Sequence, residues 1–123
     1  MITVSNADFD RAVSDAYERL PAEFRPYLEN VVIEARDRPD AKLLEEHEET
    51  EALLGLYIGV PLDEQSVTYA SPGPDRILLF RDNIRAMCES RDELIDEIRI
   101  TLLHEIGHHF GLDEERLEEL GYD

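Results

Sequence analysis

The chain has no tryptophan, one cysteine, and only 12 lysine and arginine residues against 30 aspartates and glutamates. With Cys88 alone, no intrachain disulfide can form and a zinc site built on four cysteines is excluded, so a buried thiol is expected. The formal net charge of -18 at pH 7 argues against nucleic acid and anionic lipid as partners, because their approach begins against long-range repulsion. No apolar run is long enough to span a bilayer, and Met1 to Asp10 lacks a basic stretch followed by an apolar one. A cytoplasmic protein with no membrane partner is expected.

What is present suffices for one core. Hydrophobic residues make up 42% and charged residues 34% of 123 residues, which is enough apolar material for a single domain, 1–123, beneath an ionised surface. Surface acid mainly serves solvation, and it also attracts basic peptides.

Apolar spacing predicts a helix from Asn6 to Leu20, with Ser5 or Asn6 as its cap and Pro21 at its end. The β-branched run Val31-Val32-Ile33 predicts a strand. Residues 37–52, with the run Glu45-Glu46-His47-Glu48-Glu49, read as a mobile loop in which His47 is solvated. Leu53 to Val60 reads as a second strand, with Gly55 and Gly59 marking a bend or a close backbone approach. A turn at Pro72-Gly73-Pro74-Asp75 leads into a strand at Ile77 to Phe80, completing a sheet of three or four strands. Asp82 is expected to cap a short helix reaching Cys88, with Met87 and Cys88 in the core. Ser90 and Glu93 have capping-box spacing ahead of a long helix through His108, in which Leu94, Ile95, Ile98, Leu102 and Ile106 form the buried stripe. Gly111 stands where a helix reverses, and Asp113 to Leu120 predicts a last helix.

The chemistry is concentrated in His104-Glu105-Ile106-Gly107-His108. On a helix, two histidines four residues apart project from one face about one turn apart, and both imidazoles reach one ion. Zinc suits neutral imidazoles and tolerates a site in which water keeps one position. Glu105, swung round the helix, is placed to take a proton from that water rather than to bind the metal. After the glycine turn, Asp113 and Glu114 compete to be the third ligand. Asp113 has an alternative role as the cap of the last helix, and Glu114 has the spacing that metzincins use for their third ligand, which favours Glu114. His109 is rotated off the metal face and reads as a packed or supporting histidine.

The segments LLGLYIGVPL from Leu53, PDRILLFRDNI from Pro74 and TLLHEIGHHFGLDEERLEELGY from Thr101 to Tyr122 resemble the minimal zincin-like family of small bacterial proteins described as possible zinc metallopeptidases. The resemblance implies an α+β zincin core in which a small mixed sheet packs on the active-site helix. It also implies one zinc ion held by His104, His108 and an acid at the Glu114 position. Members often carry aspartate there, and this chain has the longer glutamate. Unlike the larger metzincins, in which a methionine turn follows the motif, both methionines here, Met1 and Met87, precede it. Zinc-dependent hydrolysis of peptide or protein substrates, with Glu105 as catalytic base, is the expected function. The alternative is a non-catalytic zinc-binding or acidic protein-interaction module. The strand at Ile77 to Phe80 is expected to pack the helix, with an edge for pairing with a peptide as the alternative, and Tyr57, Tyr69 and Tyr122 are candidate oxyanion donors.

Overall fold

The computed structural model describes residues 1–59 and 74–119. The chain runs through α1 (Asn6–Glu18), a 3₁₀ segment (Ala22–Leu28), β1 (Val31–Arg36), α2 (Ala41–Glu46), β2 (Gly55–Ile58), β3 (Asp75–Phe80), α3 (Arg81–Ala86), α4 (Arg91–Phe110) and α5 (Glu114–Glu119). It is a mixed α+β fold, as expected.

Side-chain caps open the two longest helices. The Ser5 hydroxyl accepts from the Asp8 N–H at 3.0 Å, and the Ser90 hydroxyl accepts from the Glu93 N–H at 3.1 Å. Glu93 reaches back to accept from the Glu89 N–H at 2.9 Å, one residue earlier than a capping box requires. Helix α4 is the axis of the molecule. Leu94, Ile95, Ile98, Leu102, Leu103 and Ile106 are fully or almost fully buried, against Phe9, Ala12 and Ala16 of α1 on one side and Ile77 and Leu79 of the sheet on the other. Its apolar surface is wider than a single stripe because it is covered from two directions.

The sheet order is β1-β3-β2, with β1 parallel and β2 antiparallel to β3. Strand β3 is therefore central, which rules out its candidacy as a peptide-pairing edge and leaves it the favoured role of packing the helix. Its side chains alternate between two apolar environments. Ile77 and Leu79 face α4, whereas Leu78 and Phe80 pack with Leu56 on the opposite face beneath Leu43 and Leu53.

Three expectations change. Residues 37–52 contain α2, which Asp40 opens by accepting from the Leu43 N–H at 2.7 Å and which Leu43 anchors to the outer face of the sheet. Asp82 does not cap α3. Strand β3 runs into the helix at Phe80, the Asp82 N–H bonds to the Asp37 carbonyl, and the Asp82 carboxylate pairs with Arg38 and Arg85. Met87 is 59% exposed, because Ile84 and Cys88 take the inward face. Cys88 is buried as expected, and burial pushes its thiol up to about 11, leaving it an unreactive packing residue. Val60, the Pro72-Gly73 end of the turn and Leu120 lie outside the described residues. No described helix is long and apolar enough to cross a membrane.

Sheet and helix approach closely at Gly55. A Cβ there would lie 2.6 Å from Thr101 Cγ2 and 3.0 Å from the Leu78 carbonyl oxygen. Gly55→Ala is therefore expected to cost about 1–3 kcal/mol in urea unfolding. Part of that loss should return in a Thr101→Ser background, which removes the methyl and keeps the hydroxyl that donates to the Glu97 carbonyl. An unchanged unfolding midpoint for Gly55→Ala would contradict the close approach.

Candidate active site

The last two turns of α4 carry His104 and His108 on one face, with ring centroids 4.3 Å apart and ring planes 42° apart. Both rings stand out from a helix whose intervening Ile106 and Gly107 are buried. The helix stops at Gly111, which takes the left-handed conformation (φ 61°, ψ 41°), and the Leu112 N–H reaches back five residues to the Gly107 carbonyl. The absent side chain of Gly107 then admits α5, since a Cβ there would lie 2.8 Å from Leu117 Cδ1. This packing folds the C-terminal segment back beside the histidines.

The two competing acids separate in this turn. Asp113 Oδ1 accepts from the Glu115 and Arg116 N–H groups at 2.9 and 3.4 Å, so it caps α5. Glu114 lines a cavity of about 610 Å³ together with His104 and His108. Burial, and next the neighbouring His108, hold the His104 imidazole below its ordinary pKa and favour the neutral form that binds metal. Two imidazoles and a carboxylate on one cavity wall have the donor chemistry of an open zinc site. The histidine pair is assembled, but no three His, Cys, Asp or Glu side chains among the described residues stand close enough together to hold an ion. Glu114 shares the cavity from outside that range.

On the other side of the histidines, α4 and β2 border a groove of about 610 Å³ that Glu105 also lines. Glu105 Oε1 accepts from the Tyr57 N–H at 2.9 Å. The direction of that N–H follows from strand register. The Phe80 N–H bonds to the Leu54 carbonyl, so Leu56 opposite Leu78 is the next hydrogen-bonded pair, and the main-chain groups of Gly55 and Tyr57 turn away from β3. Burial pushes the Glu105 carboxyl above the usual range and nearby Glu49 adds to the rise, while the Tyr57 N–H and His108 act against it. The group is thereby suited to holding and releasing a proton.

Tyr57 also fixes its surroundings. Its ring stacks on His109 at 3.9 Å and 14°, and its hydroxyl donates to Asp75 Oδ2 at 2.6 Å. His109 thus stacks on a neighbouring ring while the residue itself stays exposed. A Cβ at Gly59 would lie 3.0 Å from His109 Cε1, which makes Gly59 a second point of close approach. Because the single hydroxyl proton of Tyr57 is committed to Asp75, this residue is not a free oxyanion donor; Tyr69 and Tyr122 lie outside the described residues.

Sequence reasoning missed three groove residues. His47 and Glu49, read as part of a solvated run, line the groove from the end of α2, and Glu97 lines it from two turns before His104. The chain leaves α2 through Glu48 at φ 55°, and the Glu49 N–H returns to the Leu44 carbonyl at 2.9 Å, which turns the segment toward α4. The spacing of Glu97 from His104, seven residues on a helix, was a readable signal for a shared face.

No curated protein matches the chain. A conserved hypothetical protein of T. thermophilus has a solved structure similar to this one, with a TM-score of 0.53 and 21% identity, covering 97% of this chain and 100% of that one. That likeness supports the fold alone. The sequence profile of the zincin-like metallopeptidases matches residues 28–122, from the end of the 3₁₀ segment through α5, and the chain belongs to that family.

Proposed function

We propose that this protein is a zinc-dependent peptidase in which His104, His108 and Glu114 hold the metal and Glu105 is the catalytic base. The observation that carries the reading is the convergence of two imidazoles, with ring centroids 4.3 Å apart, and a partly buried carboxylate on the wall of an open groove. Zinc, when bound, lowers the pKa of a water molecule and polarises the carbonyl to be attacked.

The chain's own residues supply the rest. Glu105 takes the water proton on its carboxylate during attack and returns it to the leaving amine, a role helped by its partial burial. The Tyr57 N–H holds one carboxylate oxygen and so limits the directions the other can take. Among the described residues β1 and β2 each pair only with β3, and β2 is the one that lines the groove, so β2 replaces β3 as the strand along which an extended peptide would lie. The charge of -18 keeps nucleic acid a disfavoured partner.

One observation favours a second reading, a non-catalytic zinc protein: the Glu105–Tyr57 bond also works as a staple between helix and strand. Glu105→Gln separates the two, because the amide oxygen can still accept from Tyr57. The peptidase reading predicts that this variant keeps its zinc, measured by elemental mass spectrometry, and loses about 10²–10⁴-fold in turnover of a peptide library. Equal turnover in variant and wild type, or none in zinc-loaded wild type, would overturn it.

The third ligand is tested by the neighbouring acids. Glu114→Ala should weaken zinc binding and leave the metal-free protein as stable as before. Asp113→Ala should leave zinc content unchanged and lower stability by about 1 kcal/mol through the lost cap. The reverse pattern in calorimetric titration and urea unfolding would make Asp113 the ligand.

A further inference from the structure

The groove that reaches Glu105 and the histidines has a charge that catalysis does not require. Besides Glu105, its described lining includes the carboxylates of Glu49 and Glu97 and no lysine or arginine. Among the described residues, the ion pairs of basic side chains are made with acids outside this lining, such as Asp15 with Arg91 and Asp96 with Arg99. Residues 60–73 and 120–123 contain no lysine or arginine, so no cation for the groove comes from them.

Glu97 is the more telling of the two. It is partly buried, and no described side chain donates to its carboxylate; burial pushes its pKa up, with no cation acting on it. A partly desolvated carboxylate with no partner among the described side chains carries a cost that an arriving cation offsets. Glu97, Thr101, His104 and His108 lie along one groove-facing stripe of α4. Seven residues of helix put Glu97 about 10 Å before His104 along the axis. An extended peptide covers that distance in about three residues. Glu49 lines the same groove from the end of α2.

We propose that this groove selects peptides carrying a lysine or arginine within about three residues of the bond to be cut, and that Glu97, assisted by Glu49, receives the cationic side chain. The proposal rests on reading the groove as the peptide cleft. It assigns Glu97 and Glu49 to specificity and Glu105 to chemistry.

The test reads binding without turnover. Glu105→Gln protein with zinc present is titrated, by fluorescence anisotropy, into a labelled extended peptide with one lysine and into its norleucine twin. The lysine peptide should bind about tenfold tighter. Adding Glu97→Gln and Glu49→Gln should reduce its affinity to that of the norleucine peptide. Adding Glu18→Gln and Glu29→Gln instead, at exposed positions away from the groove, should leave the preference intact. The proposal is overturned if neither peptide binds, if both bind equally, if the preference survives loss of both groove acids, or if the control pair removes it as effectively. A clear lysine preference in a protein whose wild type cleaves nothing would sink the peptidase reading and leave only the groove's binding of cationic peptides by Glu97 and Glu49 standing. Turnover without that preference would do the opposite.

Discussion

Strand β2 and helix α4 run side by side with nearly matched repeats, and the site depends on that contact. Two residues of strand advance about 6.7 Å and one turn of helix about 5.4 Å, so alternate strand residues can stay opposite successive turns over a short stretch. Gly55 meets Thr101, Tyr57 meets Glu105, and Gly59 meets His109. The two glycines remove the side chains that would hold the strand away, and between them the Tyr57 N–H points at the Glu105 carboxylate. The roughly 40° by which four residues overshoot a helical turn limits such a match to a few contacts, and this one falls on the turns that carry the motif.

Other features of the site follow from that placement. With Glu105 turned to the strand, His104 and His108 stand at the junction of two cavities, one bordered by β2 and the other by α5. Leu117 against Gly107 fixes α5, the cap at Asp113 commits one acid to the backbone, and Glu114 is left facing the histidine pair's cavity. The aromatic rings at the end of α4 bind this corner together: Phe110 packs on Tyr27 at 5.1 Å and edge-on to Tyr57 at 5.9 Å, which ties the 3₁₀ segment to the end of the motif helix.

Much of this was legible in the residues. Ser5 and Ser90 marked helix starts because a short hydroxyl side chain satisfies amides that the helix leaves open, and Gly111 marked a stop because the turn needs a positive φ. The histidine pair followed from helical periodicity alone. The run Ile77 to Phe80, apolar at every position, suits a strand covered on both faces and so favours packing over an edge. Helix α2 was hidden because its local sequence is charged, and its support from Leu43 against Leu56 and Phe80 spans residues far apart in the chain. The same distance conceals the Tyr57–Glu105 bond, which joins residues 48 positions apart through a backbone group that carries no sequence mark.

The central claim is that α4 presents His104 and His108, and neither of the other two histidines, as one metal centre. Imidazole nitrogen NMR during addition of zinc addresses it residue by residue, because the chain has only 4 histidines to assign. The account predicts that His104 and His108 move together to bound positions, complete at one zinc per chain, while His47 and His109 keep the tautomer signals of the free protein. Movement of all four alike, or of His47 in place of either motif histidine, would contradict it.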